Sequence, residues 1–286
     1  MLVSIPHPCY LGSVGPDRTA PLGVFDSGLG GLTVVRALRA TLPHEDIVYL
    51  GDTARVPYGT RSKDTVVRYA SACARHLVGR GVKAIVIACN TVSAVAPERL
   101  RAELDLPVLE VIGPGARAAV AASRTGRIGI LATAGTVASG AYPRAVAAAS
   151  TRAETVSQAA PLLVPLAEEG WITGQVPELV VRRYVEPLAL ADVDVVVLGC
   201  THYPILRDVI EDVVRERIGP HARVVDSANT IAETVASFLQ TRAIDRPASE
   251  GLGAVKLLAT DVPRAFEEQA SRFLGEATSG DEGVDL

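Results

Sequence analysis

The sequence predicts an α/β protein with doubly wound parallel sheets in two similar halves and an active site in the cleft between them. Three observations carry that prediction. Short apolar runs alternate with segments of helical spacing along most of the chain, the pattern of parallel strands joined by helical crossovers. The runs Ile85-Val86-Ile87 and Val195-Val196-Val197-Leu198 show no polar alternation and read as buried strands. Both runs end alike, in Ala88-Cys89-Asn90-Thr91 and in Gly199-Cys200-Thr201-His202-Tyr203-Pro204. Each half thus carries a cysteine at the carboxyl end of a strand, where open α/β sheets hold their ligands.

Taken in order, residues 1–20 are rich in Pro and Gly and read as a flexible arm in which Cys9 has no assigned role. A strand over Pro21-Leu22-Gly23-Val24-Phe25 leads into the turn Asp26-Ser27-Gly28-Leu29-Gly30-Gly31, and a helix follows with Leu32, Val35, Leu38 and Leu42 on one stripe. The turn fails as a dinucleotide fingerprint, because Thr33 stands where a third glycine is needed and Asp26 would repel phosphate. It is either a tight capped turn or a loop aiming Asp26 and Ser27 at a charged ligand.

The next strand, Asp46-Ile47-Val48-Tyr49-Leu50, runs into Gly51-Asp52-Thr53 and the irregular loop Arg55-Val56-Pro57-Tyr58-Gly59-Thr60. Gly59 could free backbone N–H groups there for a carboxylate. A helix over 62–80 places Val66, Ala70, Cys73 and Leu77 on one face, which makes Cys73 a core residue. After the Cys89 strand come a short strand within 104–112 and Gly113-Pro114-Gly115, read as a hinge. The alternation then resumes: helix 116–122, strand Arg127–Ala132, a turn and helix over 134–149, and a loop entering a helix over 161–170. A helix over 171–190 around Pro177 precedes the Cys200 strand. Helix 205–218, strand 222–225, helix 227–242, strand 255–259 and helix 263–273 complete the series. The last dozen residues, Gly-rich and acidic, read as a disordered tail.

At 286 residues the chain suits one large or two modest domains, and with 48% apolar residues either could bury a core. A net charge of −4 gives no reason to expect nucleic acid or a membrane surface as partner. No apolar run approaches the ~20 residues of a membrane helix. The first residues lack a basic segment and are broken by Pro6, Pro8 and Pro16, unlike a signal peptide. The expected location is cytoplasmic. The cysteines, Cys9, Cys73, Cys89 and Cys200, form no C-x-x-C pair and no zinc-ligand spacing, so no metal site is expected. Spacing leaves a Cys89–Cys200 disulfide open, while a cytosolic α/β chain favours reduced thiols.

A single strand-end cysteine is more often packing than chemistry. The pair and its neighbours argue otherwise. Each cysteine precedes groups able to bond a ligand, Asn90-Thr91 and Thr201-His202, and each precedes an expected helix whose N-terminus would favour a thiolate. An acyl-transfer nucleophile or a redox thiol would need one cysteine with His202. Two matched cysteines fit a reaction that takes a proton from one face of a carbon and returns one to the other, a role that alternates with direction. No cofactor motif is evident, so the pocket's own donors would have to stabilise the carbanion. That combination points to a cofactor-independent racemase or epimerase.

Val24-Phe25-Asp26-Ser27-Gly28-Leu29-Gly30-Gly31, Gly51-Asp52-Thr53-Ala54-Arg55 with Pro57-Tyr58-Gly59, Ala88-Cys89-Asn90-Thr91 and Gly199-Cys200-Thr201-His202-Tyr203-Pro204, in this order, resemble the bacterial glutamate racemases of the aspartate/glutamate racemase family across residues 22–275. The resemblance implies two pseudosymmetric α/β domains. The first comprises residues 21–112 and 226–275 and carries Cys89; the second, 113–225, carries Cys200; 276–286 form the tail. It implies interconversion of L- and D-glutamate for peptidoglycan without a cofactor or metal, Cys89 taking the α-proton from the D-enantiomer and Cys200 from the L-enantiomer. Asp26 and His202 match the assistants of these cysteines, and Glu168 a further carboxylate, with Glu169 beside it leaving the assignment open. Asp26-Ser27, Tyr58-Gly59, Asn90-Thr91 and Thr201-His202 match substrate-contacting pairs, and His202 favours glutamate over aspartate. Ala160 departs from the family, standing where many members have a third cysteine. Family members are commonly homodimers. Some are described as interacting with DNA gyrase, which nothing in these residues supports or excludes.

Overall fold

The protein is described as a computed structural model over residues 17–262, 266–278 and 282–286. Most of the expected arm, residues 1–16, and the start of the expected 263–273 helix lie outside the described residues.

The first sheet begins with β1 (Leu22–Asp26), α1 (Leu32–Thr41), β2 (Ile47–Gly51), α2 (Lys63–Gly79) and β3 (Ala84–Ile87). A one-turn helix α3 (Asn90–Ser93), α4 (Pro97–Glu103) and β4 (Val108–Glu110) follow. The chain crosses on α5 (Ile112–Ala122) to a second sheet with β5 (Arg127–Ala132), α6 (Ala134–Ser139), α7 (Ala141–Ala149) and β6 (Glu154–Ala159). It continues with α8 (Leu163–Glu168), α9 (Gln175–Leu190), β7 (Val195–Gly199), a 3₁₀ turn Tyr203–Leu206, α10 (Arg207–Arg217) and β8 (Arg223–Asp226). It then returns through α11 (Ser227–Thr241) to the first sheet, adding β9 (Val255–Ala259), α12 (Phe266–Leu274) and β10 (Glu282–Gly283).

All strand pairs in both sheets are parallel. The strand orders are β10-β9-β2-β1-β3-β4 and β6-β5-β7-β8. The core of the first sheet and the whole of the second therefore repeat one pattern, with β1 matching β5 and β3 matching β7. β1, β2, β3 and β7 are buried at every residue, as strands covered by helices on both faces must be. In each sheet the chain winds one way from the first strand and the other way from the third, and the crevice opens at the carboxyl ends of that pair. Register puts Phe25 beside Ile87 and Ala132 beside Gly199, and the loops after β1 and β3 meet those after β7 and β5 through Thr201–Asp26 and Thr91–Thr133 hydrogen bonds.

Four segments depart from the sequence expectation. Gly113-Pro114-Gly115 is no hinge but the first turn of α5. The Glu110 carboxylate accepts from the N–H groups of Ile112 and Gly113 at 2.6 and 3.0 Å, and Pro114 falls where an intrahelical N–H partner is absent in any case. Glu154–Ala159, unassigned from sequence, is the edge strand β6, half exposed and accordingly polar. The helix expected over 171–190 starts at Gln175, because Gly170 and Gly174 take positive φ (74° and 89°) and separate it from α8. The C-terminal segment, expected to be disordered, pairs Glu282 and Gly283 with Leu258 and Ala259. The open edge of β9 supplies the backbone partners, and Arg80 and Lys256 each meet the Glu282 carboxylate at 2.6 Å.

The foot of β3 is anchored by a buried ion pair. Lys83 Nζ lies 2.6 Å from Glu45, both side chains 2% exposed, and also donates to the carbonyls of Arg18 and Ile244 at 2.9 Å. Removing one partner strands the other charge in the core. Lys83→Met is therefore expected to cost about 3–5 kcal/mol of unfolding free energy in denaturant titration, with Lys83→Met/Glu45→Leu recovering most of the loss.

Candidate active site

Ser27, Tyr58, Gly59, Cys89, Asn90, Thr91, Glu168, Cys200, Thr201 and His202 line one cavity of about 330 Å³. The site is thus built from the loops following β1, β2, β3 and β7, together with α8. Asp26 is not in the wall. It is 1% exposed and lies one layer behind, where its Oδ2 accepts from the Gly31 N–H at 2.8 Å and from Thr201 Oγ1 at 3.4 Å. Among the described residues, its buried Oδ1 meets no hydrogen-bond partner.

Cys89 caps the four-residue helix α3, and its thiol lies 3.5 Å from Ser27 Oγ. The Val92 N–H of α3 favours the thiolate, as expected of a helix N-terminus, but it is outweighed. Burial first, and then the Asp26 charge, push this thiol well above its ordinary value, because one turn of helix is too short a dipole to offset desolvation. Cys73 matches the core reading: it is fully buried, and burial followed by the nearby Asp52 pushes it up to about 12. Cys73, Cys89 and Cys200 are all free thiols, so the disulfide left open by the sequence is absent from this structure.

Around Cys200 the electrostatics differ. Its Sγ lies 3.8 Å from His202 Nδ1, and His202 Nε2 lies 3.2 Å from Glu168 Oε1. Burial alone would press the imidazole down, but the bonds to Cys200 and Glu168, with the charges of Cys200 and Asp26, outweigh it and raise His202 to about 10. The ring is further fixed by an edge contact with Phe273, centroids 5.2 Å apart. Glu168, not the exposed Glu169, is the carboxylate that reaches the histidine. The approach of the two halves is tight at this point. A Cβ on Gly30 would sit 2.4 Å from His202 Nδ1, so the glycine-rich turn after β1 serves the close packing of the opposite loop.

Three residues escaped sequence reasoning. Thr133 lines the cavity, and its Oγ1 lies 3.1 Å from Thr91 Oγ1. Thr133 follows β5 as Ser27 follows β1, so matching strand ends between the halves was the signal that could have found it. Asp52, fully buried, accepts Arg55 Nε on both oxygens at 2.9 and 2.7 Å and Thr260 Oγ1 at 2.8 Å. It also accepts the Tyr58 hydroxyl, which fixes the Tyr58-Gly59 wall. Tyr142 bonds Asn90 from the second half, and no local pattern marked it.

Two thiols on matching strand ends of a duplicated sheet line one cavity, with an imidazole beside the second of them. A model of the Asp/Glu/hydantoin racemase family matches residues 32–235, and the chain belongs to that family. A glutamate racemase of Geobacter metallireducens is 48% identical over 254 residues, 89% of this chain and 92% of the relative. One from Neisseria gonorrhoeae is 45% identical over 277 residues, 94% and 98% of the two chains. Among solved structures, glutamate racemase of Francisella tularensis in complex with D-glutamate superposes with a TM-score of 0.85 at 33% identity, covering 94% of this chain and 98% of that one. The Thermus thermophilus enzyme, in complex with β-chloro-D-alanine, gives 0.84 at 44% identity over the same shares. An aspartate racemase of Picrophilus torridus, 17% identical with a TM-score of 0.54, shares the fold. Among the described residues, no helix is long and apolar enough to cross a membrane.

Proposed function

We propose that this protein interconverts L- and D-glutamate by two-base proton transfer, without a cofactor, in the cytoplasm, where it supplies D-glutamate for peptidoglycan. The observation that carries the proposal is the placement of Cys89 and Cys200 at matching strand ends lining one cavity. The choice of glutamate is supported by relatives named glutamate racemase at 44–48% identity and by the Francisella tularensis structure that holds D-glutamate.

For L-glutamate, Cys200 as thiolate takes the Cα proton while the Cys89 thiol gives its own to the opposite face. The two sulfurs end with exchanged protonation states, and D-glutamate runs the same steps in reverse. Protonated His202 gives the Cys200 sulfur the positive neighbour that an anion in a buried site requires. The carbanion, formed next to the substrate carboxylate, is stabilised by the polar groups of Ser27, Asn90, Thr91 and Thr201, of which the last three are preorganised by bonds across the cleft to Tyr142, Thr133 and Asp26. Asp26, set back from the wall, acts through the electrostatics of Cys89 and His202.

The test is incubation of purified protein with L-glutamate and no added cofactor in D₂O. The circular dichroism of the amino acid is expected to decay to zero, with deuterium at Cα of the D-glutamate formed. Retention of protium at Cα, or turnover of aspartate alone, would overturn the reading.

A further inference from the structure

Tyr142, on α7, is 1% exposed and touches both thiol-bearing loops. Its hydroxyl donates to Asn90 Oδ1 at 2.8 Å, one residue from Cys89. Its ring lies against the backbone leading to Cys200, so that a Cβ on Gly199 would come within 3.0 Å of Tyr142 Cε2. No other role described for the site uses this side chain.

The helix that begins after Cys89 has only four residues, too few to hold its own geometry. Its orientation comes from side-chain ties. Asn90 Nδ2 donates to Ser227 Oγ at 3.3 Å, and Thr91 Oγ1 meets the hydroxyls of Thr133 and Thr136 at 3.1 and 3.4 Å. A carboxamide has two ends that differ only in donor and acceptor character. Ser227 Oγ gives its own proton to the Leu198 carbonyl at 3.4 Å, so it accepts from Nδ2 and leaves Oδ1 to accept from the Tyr142 hydroxyl, the orientation in which each of these protons has a partner. Burial, followed by the charges of Glu110, Cys200 and Asp226, holds the Tyr142 phenol far above its ordinary value, so it stays a donor at any working pH.

We propose that Tyr142 is a positioning residue for the Cys89 half-reaction, its hydroxyl fixing the Asn90 carboxamide and with it the turn that aims the Cys89 thiol at Cα. The inference rests on the two-base reading of the site. It also assigns the two parts of the side chain different duties: the O–H serves the Cys89 loop, and the ring seats the strand end before Cys200.

Tyr142→Phe keeps the ring and removes the O–H. Because the substrates are mirror images, their equilibrium constant is one, and kcat/KM must fall equally in both directions; loss of one buried hydrogen bond makes that fall about tenfold. The step-specific readout is the primary isotope effect. With the Cys89 transfer slowed, the effect on kcat/KM for [2-²H]D-glutamate is expected to rise, and that for [2-²H]L-glutamate to fall. In an Asn90→Ala background, Tyr142→Phe should change kcat/KM by less than twofold. A merely structural tyrosine lowers the active fraction and leaves both isotope effects at their wild-type values; that result, or full additivity with Asn90→Ala, overturns the proposal. Absence of Cα exchange in the unmodified enzyme would overturn the two-base reading itself, an outcome distinct from unchanged isotope effects in an active variant.

Discussion

Replacing Cys89 with alanine is expected to lower glutamate racemisation by about 10²- to 10⁴-fold, the span of a lost general acid–base group, while leaving one enantiomer able to exchange. With Cys200 intact, L-glutamate can still lose its Cα proton to that sulfur and regain a deuteron on the same face from D₂O. D-glutamate, whose proton faces the missing thiol, should stay protiated. Cys200→Ala should give the mirror image, with exchange confined to D-glutamate. Proton NMR of Cα in D₂O reads both cases without any chiral separation. Removing one sulfur from a site already 4–5% exposed leaves the fold in place, which a thermal melt checks. Racemisation within tenfold of the unmodified enzyme in either variant, or equal exchange of both enantiomers, would sink the two-base assignment.

The two cysteines that line the cavity could be picked out of the sequence because parallel-sheet topology turns strand ends into site positions. Val195–Gly199 and Ala84–Ile87 are buried on both faces, so their apolar runs were unbroken, and what followed each run had to face the crevice. The same logic explains what stayed hidden. Thr133 caps α6, its hydroxyl 3.3 Å from the Thr136 N–H, and a capping threonine carries no mark separating structural from ligand-facing use. Tyr142 and Asp52 act across the fold, on Asn90 and Tyr58, and such pairings depend on how the halves meet. Gly113-Pro114-Gly115 misled for a different reason: breaker residues are tolerated in a first helical turn, and the capping Glu110 stands before the run. The balance at Cys89 stayed hidden because a helix N-terminus can be read from spacing, whereas the desolvation that outweighs it cannot.

His202→Asn is expected to be the complementary lesion, acting on the Cys200 side. Asparagine can keep a hydrogen bond but not the positive charge, and loss of that charge should lower kcat/KM by about 10- to 100-fold. The isotope effects should move opposite to those of Tyr142→Phe, rising for [2-²H]L-glutamate and falling for the D-enantiomer. The pH profile gives an independent check. His202 is raised to about 10 in the folded protein, above the ~6.5 of an unperturbed imidazole. The imidazolium therefore persists across neutral pH and is lost as pH climbs through about 10, so activity should carry an alkaline limb there that the asparagine variant lacks. The stability sign follows from linkage. A pKa raised by folding contributes stability that is complete below ~6.5 and disappears as pH rises toward the folded value. Between neutral pH and about 10 the unmodified protein should accordingly lose stability that His202→Asn never had. An alkaline limb retained unchanged in the variant would remove His202 from the proton-transfer step.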